Sequence, residues 1–381
     1  MKGTGLLLPR ATVGVSRWRR FRAAVDWPLI VVIVALCTLG LLNLYSATRG
    51  VRHHAKFDTQ VQWMVVGAIG FAAATIVDYR TMVRLAWLGL GFAISLLFVA
   101  RWLGSTGDSN HGITYRWLNI GGMGIQPSEL AKLMVILVLA SVFKDIEPSS
   151  YAPRRLLGQL AILTVPIGLI AIQPDLGTAI LLGLIVLSTG FLAMPSVWPM
   201  VHVTLAGLLA IPIVWETMHE YQQKRILGFI DCGIAPTKEC WHTQQSIYAV
   251  GSGKLWGKGF LEGTQNQFNF VPEHWTDFPY SVWAEEWGFI GSVVLLAIFG
   301  FLLVWVLNVA LSARDRMGSV ICVGVAAMTF WHVVVNVAMV LGIAPVVGVT
   351  LPFVSYGGSS LVTFFLAMGL VANVSLRKHG Y

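Results

Sequence analysis

Runs of about 20 apolar residues, separated by short polar breaks, recur along nearly the whole chain, and they limit its fold more than any motif does. A bilayer core about 30 Å thick needs about 20 residues of helix to cross it. Ten windows qualify: Trp27–Thr48, Gln60–Val77, Met82–Leu103, Pro127–Phe143, Arg155–Ile172, Gly177–Met194, Val197–Trp215, Ser281–Leu311, Gly318–Leu341 and Ser359–Leu376. Composition agrees, since 56% of the residues are hydrophobic and only 12% charged, against about a quarter charged in a soluble domain. The expected fold is an all-α integral membrane protein of about ten transmembrane helices, with a large structured outer loop between the seventh and eighth.

An even number of spans places both termini on one side. Arg17, Arg19, Arg20, Arg22, Arg80, Arg84, Arg154, Arg155, Arg314, Arg316, Arg377 and Lys378 then share one face, which the positive-inside rule makes cytoplasmic. Arg49, Arg52 and Lys56 are the exception and fall outside. The first apolar run is too long for a signal-peptide core and has no small-residue cleavage site, so it is a span. The expected organisation is a cytoplasmic arm over 1–26, one membrane domain over 27–376 and a short tail over 377–381.

A net charge of +8 is in large part this topological signal and does not imply nucleic acid. The outer loop over 216–280 carries Lys224, Arg225, Lys238, Lys254 and Lys258, which orientation does not require and which suit an anionic ligand at the membrane surface. Its aromatic residues, among them Trp241, Trp256, Phe268 and Trp275, argue against a disordered linker. Short amphipathic helices are expected around Gln222–Phe229 and Gln244–Gly251. A shorter outer loop covers 104–126. Cys37 and Cys322 lie in spans, while Cys232 and Cys240 lie close together in the outer loop and are expected to form a disulfide.

Several enzyme signatures are excluded. "SGKLWGKG" (252–259) has serine where a phosphate loop needs its first glycine and Gly259 where it needs serine or threonine. No histidine forms a zinc pattern, and no nucleophile elbow appears. What is left is a set of ionisable residues at the membrane boundary, where charge is costly. In "QPSELAK" (126–132) Glu129 suits the first turn of a helix, and Lys132, three residues on and deeper in the span, can pair with it. "QPDLGTA" (173–179) is a turn in which Asp175 can cap the next helix. "APVVGVTLPFVSYGGSS" (344–360) breaks an apolar stretch with prolines and glycines, and such backbone survives at membrane depth only inside protein or along a cavity. Arg116 is either a surface cation or an anion ligand. In "PEHWTDFPY" (272–280) Asp277 can serve as a helix cap or as a reactive carboxylate, with Glu285 and Glu286 close behind it.

Together "RWLNIGGMGIQPSELAKL" (116–133), "QPDLGTA", "YQQKR" (221–225), "GTQNQFNFVPEHWTDF" (263–278), "AEEWGFIG" (284–291) and "LPFVSYGGSS" (351–360) resemble the SEDS family of bacterial cell-wall polymerases, and its elongation branch more than its division branch. The resemblance implies a peptidoglycan glycosyltransferase that polymerises lipid II at the outer face of the bacterial cytoplasmic membrane during cell elongation. It implies as partners a class B penicillin-binding transpeptidase and other elongation-machinery membrane proteins. It places the catalytic acid/base on Asp277 and substrate-binding roles on Arg116, Glu129, Lys132, Asp175, Ser355, Gly357 and Gly358. Lys224 and Arg225 join them from the basic loop. Many relatives carry histidine just before the Thr–Asp pair; this chain has Trp275 there and His274 one residue earlier. Asp277 would take the proton from the acceptor hydroxyl while the cations hold the departing diphosphate, with magnesium or manganese as the one cofactor this chemistry allows. A lipid II flippase and a non-catalytic scaffold for the transpeptidase stay open as alternatives at this point.

Overall fold

The computed structural model describes residues 25–49, 54–104, 116–120, 123–144, 158, 160–194, 197–218, 220–230, 238–268, 270–271 and 273–378. Arg17, Arg19, Arg20, Arg22, Arg52, Arg154, Arg155 and Cys232 lie outside the described residues, as do the side chains of Arg225 and Lys238.

In the membrane a backbone must satisfy its own hydrogen bonds, so the apolar runs fold as helices. They are α1 (Trp27–Arg49), α2 (His54–Ile76), α3 (Tyr79–Arg84), α4 (Ala86–Leu103), α5 (Pro127–Phe143), α6 (Thr164–Ile172), α7 (Leu176–Ala193), α8 (Trp198–Thr217), α9 (Glu220–Ile230), α10 (Lys238–Ser252), α11 (Thr264–Gln267), α12 (Pro279–Leu311), α13 (Arg316–Val340) and α14 (Gly358–Arg377). Before α5, strands β1 (Leu118–Ile120) and β2 (Met123–Ile125) form a small antiparallel hairpin that the sequence pattern does not announce. Among the described residues seven helices are long and apolar enough to cross a membrane: α1, α2, α4, α7, α12, α13 and α14. The other three expected spans coincide with the 17-residue α5 and with the shorter apolar helices Leu160–Ile172 and Trp198–Pro212. The protein is a multi-pass membrane protein. Val31, Ile69, Leu88, Leu209 and Val304 are exposed on the outside of the bundle, as a lipid-facing surface requires.

The centre is α13 and α14, whose spans are 72% and 78% buried, whereas that of α2 is only 17% buried and lies at the periphery. α13 packs against α5, α7, α12 and α14. Its start is set by Asp315, whose Oδ1 accepts from Gly318 N at 2.9 Å and whose Oδ2 accepts from Tyr79 and Arg80 at 2.8 and 2.9 Å. Burial pushes the Asp315 carboxyl up, but the Gly318 amide, the Tyr79 hydroxyl and Arg80 outweigh it and hold it below the ordinary aspartate value.

The eighth expected span, Ser281–Leu311, falls within one apolar helix but contains a break that hydropathy does not show. Helix α12 begins at Pro279 and is broken at Gly288, where φ is 65° and ψ is −162°. The break frees main-chain groups, and the loop over 254–259 takes them up: Lys258 N and Gly259 N donate to the carbonyls of Glu285 and Glu286, and Phe289 N and Ile290 N donate to those of Lys254 and Leu255, at 2.9–3.2 Å. This satisfies backbone that would otherwise be stranded at membrane depth. The part after the break, 289–311, is about 34 Å long at about 1.5 Å per residue, enough to cross a bilayer core of about 30 Å, and the preceding turns hold Glu285 and Glu286 inside the protein.

Candidate active site

The loop that carries Asp277 is tied down on three sides. Asp277 N and Thr276 N donate to the Glu273 carbonyl at 3.0 and 3.1 Å, which makes a tight turn. Tyr356 N donates to Trp275 O at 2.8 Å and joins the loop to the irregular segment over 344–357. Asn336, buried on α13, donates through Nδ2 to both Asp277 O (3.0 Å) and Val349 O (2.7 Å). The cap position of α12 is Phe278, which makes no side-chain capping bond. Asp277 therefore stands one residue before the cap position of α12. Its Oδ2 faces Gly348, 3.7 Å from where a Cβ on that glycine would sit.

His274 is 1% exposed, with Nδ1 at 2.6 Å from Val271 O and Nε2 at 2.9 Å from Ala47 O. It straps the loop to the end of α1. A neutral ring donates to only one of these carbonyls; burial nevertheless outweighs the pull of both and holds its pKa below the ordinary histidine value. Lys56, one of the cations that broke the positive-inside pattern, stands 3.7 Å over the Trp275 ring and 5.8 Å from that of Tyr356.

Below this loop lies a buried ion pair. Lys132 Nζ is 2.8 Å from Glu129 Oε1 and 2.9 Å from His332 Nε2, and its side chain is 1% exposed. His332 is held at its other nitrogen by Thr350 O at 2.9 Å. His332 and Asn336 are four residues apart on α13, so one face of this helix holds both the ion pair and the Asp277 loop, about 6 Å apart along the axis. Segment 344–357 runs between them. Ser355 Oγ accepts from Leu351 N at 2.7 Å, and Gln60 brackets the turn through Ser355 O (3.1 Å) and Gly357 N (3.3 Å). Gly358 is a packing residue, since a Cβ there would lie 2.1 Å from the Trp63 indole.

Asp175 caps α7 by accepting from Thr178 N at 3.2 Å and also lies 3.3 Å from Gln126 Nε2 and 3.6 Å from Arg116 NH1. Arg116 donates to the carbonyls of Gln173, at 3.2 Å, and Pro174. This group reaches the first turn of α14, directly after the segment, through Ser359, which accepts from Gln126 N at 3.0 Å. Arg116, Glu129, Lys132, Asp175, Asp277, Ser355, Gly357 and Gly358 thus gather around one irregular stretch.

Residues 27–380 match the family model described as cell cycle protein, FtsW/RodA/SpoVE. The chain belongs to this family. It is 42% identical over 356 residues to the peptidoglycan glycosyltransferase MrdB of Escherichia coli K12, covering 93% of this chain and 94% of that one. A chain in the solved structure described as "Structural coordination of polymerization and crosslinking by a peptidoglycan synthase complex" matches with TM-score 0.77 at 30% identity, over 94% of this chain and 99% of that one. The crystal structure of the Rod shape determining protein RodA from Thermus thermophilus matches with TM-score 0.69 at 29% identity, over 94% of this chain and 98% of that one.

Other expected residues of this FtsW/RodA/SpoVE chain do not join the cluster. Lys224 is exposed on α9 and pairs with Glu220 at 3.4 Å, and the side chain of Arg225 is outside the described residues. Cys240 is disulfide-bonded; Cys232, its expected partner, lies outside the described residues. Lys258 is turned inward to Glu285, 2.6 Å away, which also accepts from Gln265 N at 3.0 Å; Glu286 accepts from Ser46. Among the described residues no three His, Cys, Asp or Glu side chains gather as metal ligands, and the carboxylates of Glu129 and Glu285 each face a lysine instead. Sequence reasoning missed His332 and Asn336. The available signal was two polar residues at helical spacing inside a valine-rich span, which places them on one buried face.

Proposed function

We propose that this chain is a peptidoglycan glycosyltransferase that polymerises lipid II for cell elongation, with Asp277 as its general base. The observation that carries the reading is the placement of Asp277: a carboxylate outside the helix it precedes, beside Gly348 of the irregular segment, while Asn336, which holds the Asp277 loop, and His332, which contacts the buried Lys132 of α5, lie one helical turn apart on α13. In the reaction Asp277 takes the proton of the acceptor sugar's hydroxyl. The hydroxyl oxygen forms the new bond to the donor's anomeric carbon, and the bond from that carbon to the diphosphate breaks with its electron pair leaving on the phosphate oxygen. Lys132 and Arg116 stabilise the departing charge. Glu129 and Asp175 hold these cations while the site is empty, because a lone buried ammonium would be costly. Ser355 and Gly357 shape the segment that faces the base. Metal ligation by the protein does not fit the residues described, so a magnesium or manganese ion enters this proposal only as a companion of the diphosphate, and no step is routed through it.

The arginines that flank the spans support a topology with both termini in the cytoplasm and the Asp277 loop at the outer face of the bacterial cytoplasmic membrane. Similarity to a chain from a complex that coordinates polymerization with crosslinking supports a class B penicillin-binding transpeptidase as partner, and similarity to a rod-shape protein supports elongation over division. The test is turnover of labelled lipid II by the purified protein with its transpeptidase. Glycan strands are expected; lipid II that crosses vesicle membranes but is never joined would replace the polymerase reading with a flippase.

A further inference from the structure

An ammonium group carries three N–H donors, and two of those on Lys132 are accounted for by Glu129 Oε1 and His332 Nε2, at 2.8 and 2.9 Å. The second partner is unusual in that its own orientation is fixed. His332 Nδ1 lies 2.9 Å from Thr350 O, an acceptor, so the ring proton sits on Nδ1 and the lone pair of Nε2 faces Lys132. The Phe364 ring, 4.9 Å away and nearly perpendicular, packs against the imidazole and restricts its rotation. With two donors fixed, the direction of the third N–H of Lys132 is fixed as well. The adjacent residues Val349 and Thr350 are clamped by Asn336 and His332 respectively, so one face of α13 sets the register between the lysine and the Asp277 loop.

We propose that His332 is a positioning residue for the transfer: through Nε2 it aims the Lys132 ammonium at a phosphate oxyanion. The inference rests on the reading that Lys132 binds the leaving diphosphate.

Two substitutions separate the two bonds. In His332→Gln the longer side chain reaches the place of Nε2 and can accept from Lys132. In His332→Asn the shorter one reaches only the place of Nδ1 and keeps the Thr350 bond. The experiment measures kcat and KM for lipid II with the purified protein and its transpeptidase, in parallel with Lys132→Met. Positioning predicts that His332→Asn loses about ten- to a hundredfold in kcat, the range for losing a hydrogen bond to a charged group, while His332→Gln stays within about threefold of wild type. If His332→Asn keeps full activity, or the two variants reverse their order, the proposal is overturned and His332 is a strap for Thr350. If the Asn variant does not fold, the Gln variant decides, and a loss of more than about tenfold there overturns the proposal as well. Lys132→Met discriminates the premise: wild-type turnover in that variant removes the phosphate-binding reading itself, whereas its loss beside an intact His332→Asn removes only the role of the histidine.

Discussion

Gly288→Ala tests the broken helix directly. The backbone at Gly288 has φ 65° and ψ −162°, a combination essentially confined to glycine. An added Cβ would lie 2.2 Å from Gly257 N, 2.8 Å from Leu255 O and 2.8 Å from Trp256 C. All three are main-chain atoms, so no side chain can turn aside. Holding a non-glycine residue in such a conformation costs about 1–3 kcal/mol, and overpacking a tight site adds about 1–3 kcal/mol, for a total of about 2–6 kcal/mol. Alanine also favours an unbroken helix, which would withdraw the Glu285 and Glu286 carbonyls from Lys258 N and Gly259 N and unseat the loop that neutralises Glu285. The expected outcome is a denaturant midpoint in detergent shifted to lower concentration, with reduced glycan synthesis. A Gly288→Ala protein as stable and as active as wild type would refute the break and restore a continuous span.

Two further outcomes follow from the geometry. Lys132→Met leaves Glu129 buried without its counter-charge and should cost about 3–5 kcal/mol of unfolding free energy, whereas adding Glu129→Leu should recover most of that loss; strict additivity in this double-mutant cycle would contradict a coupled buried pair. His274 is held below the ordinary histidine pKa by burial, so the unfolded chain takes up its proton first. The contribution is intact above the ordinary histidine value of about 6.5 and falls by up to about 1.4 kcal/mol per pH unit below it. Melting temperatures at pH 7.5 and 5.5 should differ less for His274→Phe than for wild type, and equal differences would remove His274 from the acid response.

The spans were legible because hydropathy sums over some twenty residues and tolerates local exceptions. The amphipathic helices expected around 222–229 and 244–251 appear as α9 and α10 with longer ends, since a polar–apolar face marks a helix better than it marks its termini. The Glu129–Lys132 pair and the Asp175 cap were legible because each is set by spacing within one element. The Gly288 break was not, because hydropathy counts side chains and is blind to φ, and the partner strand of the break is the 254–259 loop some thirty residues earlier. His332 and Asn336 were missed for a related reason. Their partners, Lys132 on α5 and Asp277 in the outer loop, are separated by 200 and 59 residues in sequence, and only the packing of α13 brings them onto one face. Asp277 was read both as a cap and as a reactive group; local sequence could not choose, because its neighbour Gly348 and the clamp Asn336 come from segments about 60–70 residues away.

A chemical role for Asp277 is tested most directly by lipid II polymerisation by wild type and by Asp277→Asn, each purified with the proposed transpeptidase partner. Asparagine keeps the size of the side chain and leaves the main-chain bonds to Asn336 and Glu273 in place, so folding and partner binding should persist. Glycan strands are expected from wild type and none from an equally folded, partner-bound variant. Equal strands from both would contradict that role and leave Asp277 a structural residue of the loop.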